Sequence, residues 1–182
     1  MKRLIFLMSM LLCLTITQAE NKEEDTQAFL LQSLRAGHVK IGMSKDELYT
    51  LFGEKSTRFV DLNIEGHYCP AIEIYQHDTE TEKPSLVAEI TQDENWTVWR
   101  IRVYDTRYKT EQDIGVDSTI GDIIKVYDVK WQSCGEHVLC ARVDDIQMSF
   151  VIDFFPGNWF IEKNPESIPD STIVKSIHIE KQ

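Results

Sequence analysis

One stretch of this chain resembles another: Ile41 to Phe52 lies over Val116 to Tyr127 without a gap, at a spacing of 75 residues. Self-similarity at a fixed spacing is the signature of a chain built from like units, each too small to bury its apolar face alone. In the first copy Ser44 stands as an N-cap, Glu47 three residues on completes a capping box, and Met43 staples onto Leu48. Gly53 supplies the stop. In the second copy Thr119 and Asp122 hold the two capping positions, and Ile123, Val126 and Tyr127 repeat the apolar places of Leu48, Leu51 and Phe52. Both segments are expected as short amphipathic helices with one apolar stripe.

At a spacing of 76, Val98, Ile101, Arg102 and Val103 lie over Val174, Ile177, His178 and Ile179. Their period-two alternation predicts a strand closing each half. Trp99, Ile101, Val103, Ile177 and Ile179 are expected inward, with Arg100, Arg102, Ser176 and His178 on the opposite, solvent side. Further strands are expected over 58–67, 71–77, 86–91, 129–134, 140–144 and 146–155. A helix is expected from Asp25 or Thr26 to Ala36, with Gly37 as its stop. The expected class is α+β: two tandem helix-plus-antiparallel-sheet repeats forming a curved sheet with the helices on one face. The expected organisation is a signal peptide at 1–19, an N-terminal extension with a helix at 20–38, a first repeat at 39–105 and a second at 106–182.

The beginning of the chain predicts export. Lys2 and Arg3 are a charged n-region, Leu4 to Ile16 an apolar h-region, and Thr17-Gln18-Ala19 a small-residue cleavage site, so the mature protein is expected to begin near Glu20, periplasmic or secreted. Lipid on Cys13 is not expected, because bulky Leu12 precedes it. No later apolar run approaches the length of a membrane span. The formal charge is −11, and two units more negative without Lys2 and Arg3. Nucleic acid and anionic lipid would repel such a chain. Cys134 and Cys140 flank a five-residue turn and are expected to pair in an oxidising compartment, leaving Cys69 single.

The string Ile41-Gly42-Met43-Ser44-x-x-Glu47-Leu48-x-x-Leu51-Phe52-Gly53 resembles the opening of modules in the small outer-membrane lipoprotein A family. Those modules share a helix-then-sheet architecture with the secreted β-lactamase inhibitor protein, a tandem duplication. The resemblance implies a long curved sheet whose open face binds another protein. The chain departs from the lipoprotein pattern in having no lipobox, and the second copy carries Asp117 where the first has Gly42.

Reactive chemistry has weak candidates. His67 stands two residues before Cys69, which puts both on one face of a strand, but no helix N-terminus or glycine-rich turn is at hand to activate the thiol. The histidines lack ligand spacing, and no catalytic, metal or cofactor motif is found. The candidate binding surface is Arg100, Arg102, Trp96 and His178, since arginine and tryptophan concentrate the energy of interfaces. The alternative is that these arginines pair with the surplus of carboxylates. A non-enzymatic module of the bacterial envelope, binding another envelope or secreted protein, is therefore expected. The second expectation is a small-ligand or envelope-glycan binder with Trp96 and Trp159 as stacking platforms in a cleft between the halves.

Overall fold

The structure, a computed structural model, describes residues 27–64, 66–76, 83–134, 138–152 and 168–181. The expected signal peptide, the end of the strand expected over 146–155, and Trp159 lie outside them.

The chain opens with three two-residue strands, β1 (Leu31–Gln32), β2 (Arg35–Ala36) and β3 (Val39–Lys40), paired in that order. Helix α1 (Lys45–Phe52) and a 3-10 turn (Glu54–Ser56) lead into β4 (Thr57–Ile64), β5 (His67–Ile74), β6 (Leu86–Ile90) and β7 (Val98–Val103). Helix α2 (Ile120–Val126) leads into β8 (Lys130–Ser133), β9 (Leu139–Val143), β10 (Met148–Ile152) and β11 (Val174–Glu180). These last eight strands form a single sheet in the order β4-β5-β6-β7-β11-β10-β9-β8, antiparallel at every pairing.

Both capping boxes form. The Ser44 hydroxyl accepts the Glu47 N–H at 3.2 Å while the Glu47 carboxylate accepts the Ser44 N–H at 2.7 Å. Thr119 and Asp122 repeat the exchange at 3.2 and 3.3 Å. Helices this short are unstable alone, and each is held by burying one stripe: Leu48 from α1 and Ile123 from α2 are fully enclosed in the core. That core lies on one side of the large sheet, where Ile72, Leu86, Ile101, Ile177, Phe150 and Leu139 meet both helices and the small sheet.

The α+β expectation of tandem helix-plus-sheet repeats is corrected. Among the described residues the protein is mostly β, with α1 and α2, of eight and seven residues, beside an eight-stranded and a three-stranded sheet. Two physical causes account for this. The strands dominate, all eight joining in one sheet where β7 pairs with β11, Ile101 against Ile179 and Val103 against Ile177. Within the helix expected from Asp25 or Thr26 to Ala36, residues 27–28 are helical but 31–36 fold as β1 and β2, which β3 extends. Leu34 and Gly37 turn the chain at φ 60° and 54°, and a Cβ at Gly37 would stand 2.0 Å from the Ala28 carbonyl oxygen. Leu31, Ala36 and Val39 are the residues it buries.

Two strand details also differ. Between Glu89 and Ile90 the pairing with β7 slips, so Glu89 faces Arg100 and Ile90 faces Val98. Val98 therefore fills the core, and Trp99, expected inward, sits half-buried in the bulge with its ring 4.2 Å from the Arg100 guanidinium. Strand β5 runs through Pro70, which lies between the strands expected over 58–67 and 71–77. β6 pairs only with Ala71 to Ile74, so at Pro70 a missing N–H is tolerated on the unpaired side.

Candidate functional site

The alternation of β7 and β11 places Arg102 directly opposite His178, with Ser149 of β10 and Arg142 of β9 continuing the row across the sheet. This is the face away from the apolar core, and it is not open. His178 is 9% exposed, Ser176 7%, Arg142 3% and Glu89 0%. Glu89 takes the Arg102 Nε at 2.5 Å and has Arg100 at 3.6 Å, and Arg100 also pairs with Glu180 at 2.6 Å. Burial opposes the charge of Arg102, but Glu89 beside it holds its pKa above the ordinary value. His178 faces two arginines with its own ring buried, and its pKa is pushed down to about 3 by desolvation first and by Arg102 and Arg100 second. The imidazole is therefore neutral at neutral pH. A row of this kind stabilises the pairing of β7 with β6 and β11, and its charges are engaged within the fold.

Trp96 stands apart from that row. The backbone of α1's first turn is laced to the start of β7: Lys45 N–H donates to the Trp96 carbonyl at 3.0 Å, and Gly42 and Met43 exchange hydrogen bonds with Val98. The Asp93 carboxylate accepts the N–H groups of Asn95 and Trp96, both at 3.0 Å. Trp96 is thereby held at φ 48°, a left-handed backbone that L side chains rarely adopt. Its indole, 37% exposed, meets the Phe59 ring edge-on at 6.1 Å between centroids. Phe59 lies opposite Ile72 and thus on the core side of β4, but at the sheet edge, where it stays 41% exposed. The Lys45 ammonium lies 5.4 Å from the Phe59 ring, 5.5 Å from Trp96 and 6.0 Å from Tyr49. Leu51 of α1 and Tyr68 of β5 are exposed at 43% and 69%, and a shallow groove along α1 is lined by Met43, Asp46, Glu47, Thr50 and Leu51.

Of the four residues singled out from the sequence, the fold brings Arg100, Arg102 and His178 together and leaves Trp96 in a different cluster. Sequence reasoning missed Glu89, Lys45 and Phe59. Glu89 had a signal: an acid inside the apolar run Leu86 to Ile90 demands a buried cation. Lys45 and Phe59 had none, since only the docking of α1 beside β4 and β7 brings them to Trp96. His67 and Cys69 share one face of β5, opposite Ile64 and Leu62, as their spacing requires. Cys69 is free and Cys134 is bonded to Cys140, their Cα atoms 5.9 Å apart. Among the described residues no three His, Cys, Asp or Glu side chains converge as metal ligands, and no helix is long and apolar enough to cross a membrane.

No protein-family model matches the chain, and no curated protein does. Among solved structures, the crystal structure of the uncharacterized protein yfeY from Escherichia coli is similar. The TM-score is 0.58, over 84% of this chain and 98% of that one, at 14% sequence identity. A likeness at that identity concerns the fold alone. The resemblance of the α1 motif to the lipoprotein A family accordingly rests on those residues.

Proposed function

We propose that this protein is an exported, non-enzymatic interaction module that grips a partner protein through the aromatic surface formed by α1, β4 and the loop before β7. The carrying observation is Trp96. A left-handed backbone at a non-glycine residue costs about 1–3 kcal/mol and persists only where its surroundings enforce it. Here Asp93 and Lys45 enforce it, and the result is an indole held partly in solvent beside Phe59. Tryptophan and tyrosine are the side chains in which interfaces concentrate their energy. The Cys134–Cys140 disulfide is compatible with an oxidising, exported setting. Arg100 and Arg102, whose charges are taken by Glu89 and Glu180, serve the sheet in this account, not the partner.

Affinity capture from an envelope extract, with quantitative mass spectrometry, tests it. The wild-type chain should recover a defined protein that Trp96→Ala and Phe59→Ala each lose, while both variants keep the wild-type melting temperature within a few degrees. Capture that survives both substitutions sinks the proposal.

A further inference from the structure

The aromatic cluster holds a cation of its own. Lys45 places its ammonium within 6.0 Å of three ring centroids, those of Phe59, Trp96 and Tyr49, which is the reach of an attraction between a positive charge and the electron-rich face of a ring. Three rings converging on one point form a receptacle for a positive charge, and the side chain occupying it sits on a long flexible stem, half-buried, at the first residue of a helix. Swinging that stem outward needs only side-chain rotation. The surroundings favour a visitor of the same sign. Asp46 follows Lys45 on α1, Asp61 lies two residues beyond Phe59 on β4, and Asp93 and Glu94 lead into Trp96 in the loop before β7; all four are exposed, in a chain of net charge −11.

We propose that Tyr49, Phe59 and Trp96 form a receptor for a lysine or arginine side chain from a basic, extended segment of the partner protein, with Lys45 as the resident group that the incoming cation displaces. The occupant's charge is set by the rings and the acidic rim together. An apolar side chain would gain nothing from the rim, and an acidic one would be repelled by it. This rests on the aromatic surface being the docking surface, and it adds the chemistry of what docks. Lys45 then acts as a built-in competitor, closing the rings against weak or accidental ligands.

A capped peptide of alternating glycine with arginine and lysine serves as the probe, against a matched peptide carrying glutamate. The readout is the shift of the Trp96 indole N–H in NMR titrations of the mature chain, at low and at physiological salt. Binding of the basic peptide alone is expected, weakening with salt as the charges of the rim are screened. Trp96→Ala should weaken it at least tenfold. Lys45→Met, which keeps the stem and removes the charge, should tighten it about fivefold, the equivalent of one cation–ring contact of modest strength. Asp46→Asn with Glu94→Gln should weaken binding and flatten its salt dependence. Unchanged or weaker binding in Lys45→Met overturns the displacement, and so does Trp96-dependent binding of phosphatidylcholine vesicles in place of the peptide. If the peptide fails while protein capture still depends on Trp96, the cationic occupant is wrong and the docking surface stands. If the peptide binds while capture ignores Trp96, the reverse holds.

Discussion

His178 gives the fold a dependence on pH that can be measured at one residue. The ring is 9% exposed, faces Arg102 directly across the β7–β11 pairing, has Arg100 nearby on the same strand and Ser149 on its other side. Desolvation of the buried ring first, and the charges of Arg102 and Arg100 second, push its pKa down to about 3. An unfolded histidine titrates near pH 6.5, so below that value the unfolded chain binds a proton that the folded chain refuses. Stability therefore falls as pH drops through 6.5, continues to fall, and levels off beneath the folded value. The linkage amounts to about 2 kcal/mol at pH 5 and about 4 kcal/mol at pH 3. His178→Gln removes this contribution and leaves every carboxylate in place. Urea unfolding of the chain at pH 7 and pH 5 should show the wild type losing about 2 kcal/mol more than the variant between the two conditions. Equal losses would mean that His178 is protonated in the fold, and the buried arrangement with two arginines would be refuted.

Three further outcomes follow from the same structure. Glu89→Gln strips the buried carboxylate from between Arg100 and Arg102 and should lower unfolding stability by about 3 kcal/mol, read from urea midpoints. Reducing the Cys134–Cys140 bond, which closes a loop of sequence separation 6, should lower stability by about 2 kcal/mol on the chain-entropy account, with a thermal melt in and out of reductant as the measurement. Ser44→Ala and Thr119→Ala should each lower it by about 1 kcal/mol, since each opens a capping box. The double variant should show the sum, because the two caps share no residues.

The sequence determined what neighbouring residues decide among themselves. A serine or threonine followed three residues later by an acid caps a helix wherever it lies, and both α1 and α2 begin so. The alternation of Ile177 and Ile179 against Ser176 and His178 named the two faces of β11, and two cysteines across a short turn found each other. Tertiary structure decided everything that depends on which strand lies beside which. The direct pairing of β7 with β11 made one mostly β sheet of what local patterns read as two helix-plus-sheet units. The slip at Glu89 moved Trp99 out and Val98 in. The face that alternation marked as solvent became the enclosed side holding Glu89 and His178. Lys45, Phe59 and Trp96 met only because α1 is stitched to the start of β7. The division has a physical reason: caps and alternation are satisfied within a turn or two of chain. Pairing partners, bulges and burial are instead set by contacts between distant segments, whose closure entropy is repaid only when the whole sheet forms.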